Sequence, residues 1–550
     1  MPLDLTSATG PLCTTDPDLQ DVFDDLQGNI LNGHGRDQAV LLFLQFVPER
    51  IDEVKAVLAT LASNWLTSAS AQLAASAAFR TESQDAGLFV HAALSGAGYV
   101  ALGIEDAQIP AAAALRGRPS TITIGQQQVT FYESDVFTQG MKARRAALQD
   151  PPVEEWENGF RAEIHALILI ADDSNTDLIN GEAQLRALFT SDTGPIAHVV
   201  STQRGFGLRR TFPTDNGPLG QNVEHFGYVD GRSQPALLDT QLTEDQNRDG
   251  TAIWDPTAPP RLALVADPGG TDGVSFGSFL VFRKLEQNVK GFKLAQRRLA
   301  DELKLPLKLI GAMAVGRFED GTPVVLQPGE NAEPAAPNDF DYSSDASGRR
   351  CPFHAHIRKT NPRLESVLAG GGFAEDDEEE RGHRIARRGI PYGGGLSDFT
   401  DPDTLPERGV GLLFMCYQSD LWEQFEFMQR FWCNNDKFLR PGLRGSAQDA
   451  PDYVTNTGMD SIVGQQQQLL DPITGFTAPP TTWPSEWGQQ AEATRASIAR
   501  FVTMRGGEYF FSPSLTFLRS LAPQKAAPVA LIMAPEPTPR TQPVVKRPAY

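Results

Sequence analysis

Five stretches of the chain combine branched and aromatic side chains with the length of a β-strand. These stretches span residues 39–47, 87–94, 165–171, 277–285 and 409–418. Apolar residues at helical intervals follow two of them, at residues 48–66 and 419–434, and Ser419 is a candidate N-cap for the second helix. The repeated strand-then-helix order predicts two similar α+β halves that divide near residues 215–225.

The ends of the chain differ in composition from its centre. Residues 1–24 are polar and contain Pro, Thr and Asp, so they predict a flexible N-terminus. Residues 523–550 are rich in proline and predict an extended tail. The folded part of the chain is therefore expected to form one unit over residues 25–222 and a second over residues 223–522.

Charge and cysteine content narrow the classes of partner. The 550 residues include 48 Lys and Arg against 69 Asp and Glu, which gives a formal net charge of −21. Such an acidic surface repels nucleic acid and anionic membranes, so we expect neither as a partner. The four cysteines show no C-x-x-C spacing, so neither a disulfide framework nor a zinc site is predicted.

Targeting signals are not recognisable in the sequence. The N-terminal residues lack a basic region followed by an apolar one, which a signal peptide would require. The apolar runs are also too short to cross a bilayer. A cytoplasmic location is therefore the default expectation, and an extracellular one stays open.

The first candidate for chemistry is the string EHFGYVDGRSQP, residues 224–235. Gly227 and Gly231 bracket Asp230, and glycine allows the backbone either to approach a ligand closely or to take a positive φ. Asp-Gly is also a common turn, in which the carboxylate bonds its own backbone. On the residues alone, the turn is the favoured interpretation and a pocket carboxylate is the alternative.

A histidine pair stands in the string CPFHAHIRKTNPR, residues 351–363. Neutral imidazole is a good ligand for iron, zinc or copper. In an extended segment His354 and His356 would point to the same side, so their spacing does not choose between them. Packed or surface histidines without a metal are the commoner alternative.

Two further segments are candidates for a pocket wall. The arginine-rich string RIARRGIPYGGG, residues 384–395, could supply a cation that binds an anionic ligand or stabilises developing negative charge. In the strand GLLFMCYQ, Leu412 and Phe414 share one face while Leu413 and Met415 share the other. Either face of this strand could belong to the core.

Taken together and in this order, these strings resemble the dye-decolorizing peroxidases, a family of haem peroxidases. Its GxxDG motif is similar to GYVDG, its proximal-histidine segment to CPFHAHIRKTNPR, and its distal-arginine segment to RRGIPYG. Further similar stretches include DLQGNILNGHGR and GLLFMCYQSDLWEQFEFMQRFW. The resemblance extends from about residue 25 to about residue 520, and the long insertions are similar to the larger subgroup with fungal and bacterial members.

The resemblance implies a fold and a cofactor. The fold would be α+β, with two ferredoxin-like modules of antiparallel sheet and peripheral helices over residues 25–222 and 223–522, enclosing one haem b per chain. It implies that His356, rather than His354, is the axial ligand of the haem iron. Four further residues are implied to contact the cofactor, namely Gly227, Gly231, Leu412 and Phe414.

The resemblance also implies a reaction. Asp230 and Arg387, rather than Arg388, would act on the distal side, where hydrogen peroxide is cleaved to leave a ferryl intermediate. Dyes, phenolics and similar aromatic reductants would then be oxidised in one-electron steps. Tyr392 and Trp432 are hypothetical surface relay residues for bulky reductants, with ordinary packed aromatics as the alternative.

A carboxylate is expected to accept a hydrogen bond from the second ring nitrogen of His356. Asp460 is the candidate, and Glu423 and Glu426 are its rivals. In water, the carboxyl group of aspartate has a pKa of about 3.9 and an imidazole has a pKa of about 6.5. A distal aspartate therefore predicts peroxidase activity that extends to acidic pH.

Two rival functions stay open on the sequence. One is a haem-handling protein without peroxidase turnover, and the other is an interaction protein that works through its acidic loops and proline-rich tail. Haem uptake discriminates between them, and His356→Ala should weaken it whereas His354→Ala should not. The physiological reductant, the oligomeric state and any oxidation of Mn²⁺ are not fixed by these residues.

Overall fold

The structure is a computed structural model of the whole chain. It describes residues 2–82, 86–111, 120–124, 127–131, 136–213, 217–330, 337–366, 377–395, 401–436, 438, 457–465, 481–489, 494–496, 498 and 500–522. The predicted tail over residues 523–550 lies outside the described residues. Within the described part of the chain, no helix combines the length and the apolar character that a membrane span requires.

A single antiparallel sheet of ten strands forms the centre of the molecule. Its strands are β1 Gln38–Phe46, β2 Phe89–Ser95, β3 Ala166–Asp172, β4 Ala197–Phe206, β5 Val265–Ala266, β6 Phe276–Gln287, β7 Ala386–Arg387, β8 Ile390–Tyr392, β9 Gly411–Gln418 and β10 Val502–Ser512. The five strands predicted from the hydrophobic pattern are all present, with ends that differ by at most two residues. The described part of the chain also contains four short two-stranded sheets that are separate from it, namely Ser120–Ile124 with Gln127–Phe131, Thr190–Ser191 with Gly194–Pro195, Leu208–Phe212 with Leu219–Val223, and Thr481–Trp483 with Thr494–Ala496.

The order of strands in the sheet confirms the α+β class and the pair of ferredoxin-like modules. In the N-terminal module the order is β2-β3-β1-β4, so the second strand is followed by the third, the first and the fourth. The C-terminal module repeats this arrangement, because β7 and β8 pair with β9, which is followed by β6 and β10. All neighbouring strands are antiparallel, as in the ferredoxin-like fold.

The modules join in the middle of the sheet. Strand β10 pairs with β2 through only two residue pairs, Phe510 with Ser95 and Phe511 with Leu94. On one face of the sheet, the rings of Phe43 and Phe282 meet with their centroids 4.7 Å apart. Since these two rings come from different modules, the modules share one continuous hydrophobic core.

The outer edges of the two modules also approach each other. A Cβ added to Gly205 in β4 would lie only 2.4 Å from Cγ2 of Ile390 in β8. A residue without a side chain is therefore required where these two edge strands meet. The sheet curls round until its ends are in contact, which protects edges that would otherwise be open.

Helices flank the sheet. The α-helices of the described residues are α1 Gln20–Asp25, α2 Ile51–Asn64, α3 Ala69–Glu82, α4 Gly96–Ala101, α5 Val136–Leu148, α6 Asn158–Arg161, α7 Asn175–Leu188, α8 Asp239–Arg248, α9 Val289–Leu303, α10 Leu307–Val315, α11 His356–Thr360, α12 Asp377–Gly382 and α13 Leu515–Ser520. Short 3₁₀ turns occur at Pro17–Leu19, Pro48–Arg50, Asp106–Gln108, Val153–Glu155, Pro260–Leu262, Ser343–Asp345 and Pro402–Thr404.

The helix predicted over residues 419–434 differs from its prediction in two ways. It consists of two π-helical segments, Leu421–Glu426 and Met428–Cys433, rather than a regular α-helix. Its N-cap is Asp420 rather than Ser419, because the Asp420 carboxylate accepts from the backbone N–H groups at positions 422 and 423. π-Helical turns are rare and occur often at functional sites.

The N-terminal residues were expected to be flexible, and the structure differs. Leu12 donates its backbone N–H to Leu237 O at 2.9 Å, and Thr14 bonds the carboxylate of Asp239. Val22 and Phe23 are buried, with exposures of 1% and 2%. Because residues 1–24 are mostly polar, their composition did not indicate the few apolar residues that attach this segment to the rest of the protein.

Candidate active site

A cavity of about 250 Å³ lies in the C-terminal module, against the outer face of strands β6 and β9. Its walls come from parts of the chain that are far apart in sequence. The sequence-predicted residues that line it are Asp230, Gly231, His356, Arg387, Leu412 and Phe414. The structure therefore brings the proximal histidine segment, the GxxDG segment and the distal arginine segment to one cavity.

His356 is the first residue of α11 and lines the cavity. Its Nδ1 donates to Asp460 Oδ2 at 2.8 Å, and its side chain is 26% exposed. Since Nδ1 is engaged by the carboxylate, Nε2 is the nitrogen that can coordinate a metal in the cavity.

His354 has a different environment, although it is only two residues away. Its side chain is fully buried and packs on Trp483, with ring centroids 4.5 Å apart. Neither ring nitrogen has a hydrogen-bond partner among the residues that the structure describes, and burial lowers the pKa of His354 to about 3. It does not line the cavity, so the geometry separates the two histidines that the spacing could not distinguish.

Of the three candidate carboxylates, Asp460 is the one that bonds His356. Its Oδ1 accepts the backbone N–H groups of Ile462 and Val463 at 2.8 and 2.9 Å. Burial alone would raise the pKa of Asp460, but His356 and these N–H groups outweigh it, so the pKa lies below its usual value. The group is therefore a fixed negative charge behind the imidazole.

The two rival carboxylates lie elsewhere. The fully buried Glu426 bonds Arg144 at 2.6 Å and Tyr509 Oη at 2.9 Å. Glu423 contributes its backbone carbonyl, which accepts from His383 Nδ1. Neither side chain is bonded to His356.

Asp230 lies in a turn whose glycines both take positive φ, Gly227 at 95° and Gly231 at 88°. Asp230 Oδ1 accepts from the backbone N–H of Gly231 at 2.7 Å, as the turn interpretation requires. The carboxylate also lines the cavity, so turn and pocket roles coexist. Gly227 shapes this turn but is not part of the cavity wall.

Arg387 is held beside Asp230. Its Nη1 lies 3.4 Å from Asp230 Oδ1, and its Nη2 donates to Arg232 O at 2.6 Å. Both contacts of the carboxylate among the described residues use Oδ1, which leaves Oδ2 for a ligand in the cavity. The guanidinium of Arg388 instead donates to the carbonyls of Asn29 and Ile30 and does not line this cavity.

The remaining wall is mostly apolar. Leu412 and Phe414 are half-buried and face the cavity, whereas Leu413 and Met415 are fully buried on the other face of β9. The other apolar wall residues include Leu285, Val315, Ile357, Ile385, Phe425, Met428, Ile462, Val463 and Val502. A wall that is largely apolar in area suits a flat aromatic ring system.

A group of arginines at one side of the cavity was not recognised from the sequence. Arg317 and Arg363 are buried, line the cavity, and both donate to Ser233 Oγ. Burial and the charge of Arg363 lower the pKa of Arg317 to about 9, and burial lowers that of Arg363 to about 10. Within the described residues neither forms an ion pair with a carboxylate, so a ligand that carries carboxylates would relieve their repulsion.

Glu224 is a second group that the sequence reasoning missed, although it stands within the quoted GxxDG string. Its carboxylate accepts the backbone N–H groups of Phe226 at 2.8 Å and Tyr228 at 3.1 Å, and Gln287 Nε2 also donates to it. It therefore fixes the turn that carries Asp230. Burial raises the pKa of Glu224 to about 7.

A second cavity, of about 710 Å³, lies on the other side of the Asp230 turn. It is bounded by residues 29–37 and by helices α3 and α8. Asp230 and Arg387 line both cavities, so this pair stands where the two spaces meet.

The predicted surface relay residues are not at the surface. Tyr392 is 6% exposed and Trp432 is 1% exposed, and neither lines the cavity. Lys284 Nζ lies 4.5 Å above the ring of Tyr392, and Trp432 stacks on Phe438 with centroids 5.0 Å apart. Both aromatic side chains therefore belong to the core, which was the alternative interpretation. A bulky dye cannot contact either ring directly.

Two family models match this sequence. Residues 25–205 match the DyP dimeric alpha+beta barrel domain, and residues 347–440 match the Dyp-type peroxidase C-terminal domain. The chain belongs to the dye-decolorizing peroxidase family, whose members are haem enzymes, and it is an oxidoreductase with peroxidase activity.

Individual relatives agree with this assignment. The multifunctional dye peroxidase DyP2 of Amycolatopsis sp. (strain ATCC 39116 / 75iv2) is 40% identical over 95% of this chain and 100% of its own length. The solved structure of the DyP-type peroxidase AnaPX of Anabaena sp. superposes with a TM-score of 0.77 at 38% identity, covering 93% of this chain and 97% of that one. A dye-decolorizing peroxidase in complex with 2,6-dimethoxyphenol superposes with a TM-score of 0.64 at 26% identity, covering 91% and 99%.

Proposed function

We propose that the chain is a haem b peroxidase that binds one haem through His356 and cleaves hydrogen peroxide with Asp230 and Arg387. The observation that carries the proposal is that His356, Asp230 and Arg387 line one largely apolar cavity, each in a polar pair. His356 with Asp460 forms one pair, and Asp230 with Arg387 forms the other.

The residues of the cavity fit a haem. Leu412 and Phe414 belong to the apolar wall that would contact the porphyrin. Arg317 and Arg363 are buried cations that would bind the propionates of the haem. Binding of these carboxylates is favoured because it would relieve the repulsion between the two guanidinium groups. His356 Nε2 would ligate the iron, and the bound haem supplies the electron transfers of the reaction.

The proximal pair has a positioning role. Asp460 holds the proton of His356 on Nδ1, which fixes the tautomer and the orientation of the ring. The carboxylate also makes the imidazole a stronger electron donor. Because two backbone N–H groups bind its other oxygen, Asp460 stays ionised and aligned.

The distal pair handles the proton and the charge of peroxide. Asp230 accepts a proton from the bound hydrogen peroxide and returns it to the departing oxygen, in the manner of a general acid–base. Arg387 stabilises the negative charge that develops, and its bond to Arg232 O keeps the guanidinium in place. An aspartate in this role keeps activity at acidic pH, where a distal histidine would already be protonated.

The second cavity is the proposed route for hydrogen peroxide. Hydrogen peroxide is small enough to reach Asp230 through the second cavity, of about 710 Å³. Aromatic reductants of the phenol class are the proposed electron donors, since a structural relative forms a complex with 2,6-dimethoxyphenol. Because Tyr392 and Trp432 are buried, any relay through them would start from another surface group.

The test compares the two histidines as haem ligands. His356→Ala should lose or strongly weaken haem binding, measured by the Soret band and by titration with hemin. His354→Leu is the matched control, because it removes the neighbouring buried imidazole but keeps most of its volume. Equal haem affinity in both variants would exclude His356 as the ligand and remove the proposal.

A further inference from the structure

A serine beside the Asp230 turn has a backbone conformation that serine rarely adopts. Ser233 stands three residues after Asp230 and has a φ of 61°, in the left-handed region that favours glycine. Its side chain lines both cavities. Strained conformations of this kind persist where the surrounding structure requires the side chain, and they cluster at ligand sites. The contacts of Ser233 therefore deserve a functional explanation.

The hydroxyl group of Ser233 connects two cations. It donates to Asn338 Oδ1 at 2.7 Å, and it accepts from Arg317 Nη2 at 3.3 Å and from Arg363 Nη2 at 3.1 Å. A hydroxyl has one proton and two lone pairs, so these three bonds use its full capacity. One oxygen atom thus joins two guanidinium groups that come from distant parts of the chain.

The other bonds of the two arginines go to backbone carbonyls. Arg317 Nη1 donates to Gly321 O at 2.8 Å and to Pro337 O at 2.7 Å. Arg363 Nη1 donates to Asn338 O at 2.7 Å. These carbonyls orient the guanidinium groups but carry no formal negative charge. Each cation is therefore held in place and still able to attract an anion in the cavity.

An aromatic ring packs against both cations. The ring of Phe340 lies 5.3 Å from Arg317 Cζ and 3.7 Å from Arg363 Cζ. All three side chains are buried. Since little water surrounds these cations, their attraction for a carboxylate is stronger than it would be at the surface. Their mutual repulsion is stronger for the same reason, so the pair needs a group that holds it together.

We propose that Ser233 is a positioning residue for the carboxylates of the cofactor: its hydroxyl fixes the guanidinium groups of Arg317 and Arg363 relative to each other, so that the haem propionates meet a preformed pair of cations. This proposal rests on the proposed function, in which haem occupies the cavity. A preformed pair binds more tightly because less side-chain entropy is lost on binding. Glycine would relieve the strain at this position but lacks the hydroxyl.

The experiment compares hemin with hemin dimethyl ester, whose two propionates are uncharged. Ser233→Ala should weaken the binding of hemin about 10- to 100-fold, the usual cost of losing hydrogen bonds to charged groups. The same variant should bind the ester within about twofold of the parent protein, because the ester does not use the cation pair in this way. Titration of the Soret band measures both affinities.

A second variant separates positioning from folding. Ser233→Gly also removes the hydroxyl but relieves the positive φ, so its haem-free form should be more stable in urea than that of Ser233→Ala. If the hydroxyl positions the cations, both variants lose the same affinity for hemin. If Ser233 only stabilises the turn, the affinity follows the stability and the glycine variant binds hemin more tightly.

Ser278→Ala is the matched control. Ser278 is a fully buried serine of β6 whose hydroxyl donates to Gln418 O at 3.3 Å, and it does not line the cavity. This variant should bind hemin and its ester as the parent protein does. If the ester binds the parent too weakly to titrate, an Arg363→Gln background decides: there Ser233→Ala should change the affinity for hemin by less than about twofold.

The outcomes distinguish this proposal from the one on which it rests. Parent-like affinity for hemin in both Ser233 variants, an equal loss with hemin and its ester, or a full loss in the Arg363→Gln background would each overturn the role of Ser233. If instead the parent protein takes up no haem, or loads it equally after His356→Ala, the proposed function fails. Circular dichroism identifies a variant that does not fold, and Ser233→Gly then decides in place of Ser233→Ala.

Discussion

The two modules share one strand order, yet only the C-terminal one contains the apolar cavity next to His356. Their third strands show the difference. All seven residues of β3 are buried, and α7 packs against this strand. In β9, Leu412 and Phe414 stay half-buried while Leu413 and Met415 are fully buried. The site is thus made by leaving one face of a common sheet partly uncovered, without any change in topology.

The helices after these third strands differ as well. Ser174 caps the regular helix α7 of the N-terminal module. Asp420 caps the π-helical segments of the C-terminal module, in which Phe425 and Met428 face the cavity. Each π turn contains more residues than an α turn, so the segment covers the sheet differently from α7. The ring of Phe425 lies 6.2 Å from that of Phe414, which places the segment against the partly covered strand.

The largest expected effect concerns Asp230, the proposed proton acceptor. Asp230→Asn should lower the rate of the reaction with hydrogen peroxide about 10²–10⁴-fold, the usual contribution of a general acid–base. Stopped-flow spectroscopy of the haem-loaded protein measures it. Asp172→Asn changes a carboxylate at the end of β3, outside the cavity, and should leave this rate unchanged. Equal rates in all three proteins would remove Asp230 from the mechanism.

Core truncations test the asymmetry of the two third strands directly. Leu413→Ala, Ile168→Ala and Leu169→Ala should each lower the free energy of unfolding by about 2–5 kcal/mol, since these side chains are fully buried. Leu412→Ala should cost about 1 kcal/mol or less in the haem-free protein, because the side chain already faces a cavity. Urea unfolding measures all four variants. A cost for Leu412→Ala equal to that for Leu413→Ala would show that the outer face of β9 is packed.

The third prediction uses the pH dependence of stability to test Glu224, which lines the cavity of the C-terminal module. Burial raises the pKa of Glu224 to about 7, above its usual value, so the folded protein binds this proton more tightly than the unfolded chain. Stability from this group is fully present below the unfolded value and is lost as pH rises towards 7. The free energy of unfolding of the parent protein should therefore decrease as pH rises across this window. Glu224→Gln should remove about 1–3 kcal/mol of that decrease. The comparison uses the slope with pH, so a constant loss of stability in the variant does not affect it; an unchanged slope would contradict the shift.

The smallest expected effects concern the caps of the two helices. Asp420→Ala should lower the free energy of unfolding by about 1–2 kcal/mol, because the carboxylate accepts two backbone N–H groups. Ser174→Ala should cost about 0.5–1 kcal/mol, because its hydroxyl accepts one N–H at the longer distance of 3.4 Å. Thermal unfolding followed by circular dichroism is sufficient. The reverse order would mean that the π-helical segments do not depend on their cap.

The hydrophobic pattern was sufficient to predict the central strands. Both faces of these strands are buried, so their residues form short apolar runs that are easy to recognise. It could not show which face of β9 borders the cavity. Leu412 and Leu413 are the same residue type, and the difference between them depends on what packs against the sheet, which is a property of distant segments.

The site was predictable only as far as its residues stand within continuous motifs. Asp230, His356 and Arg387 are in such strings, and the structure places all three on one cavity. Asp460 was one of three candidate carboxylates, because 104 residues separate it from His356 and only the fold could choose. Arg317 has no motif around it, and its role becomes visible only from its burial next to Arg363.

The strand order has a consequence for the synthesis of the protein. Strand β10 ends at Ser512, yet it lies between β6 and β2 in the middle of the sheet. About 400 residues separate β2 from β10, so at about 5–20 residues per second some tens of seconds pass before β2 obtains this partner. During that time one edge of the N-terminal module stays open on the ribosome, and the cavity has no complete wall in which a cofactor could be held. Haem is therefore expected to enter only after β10 has been synthesised.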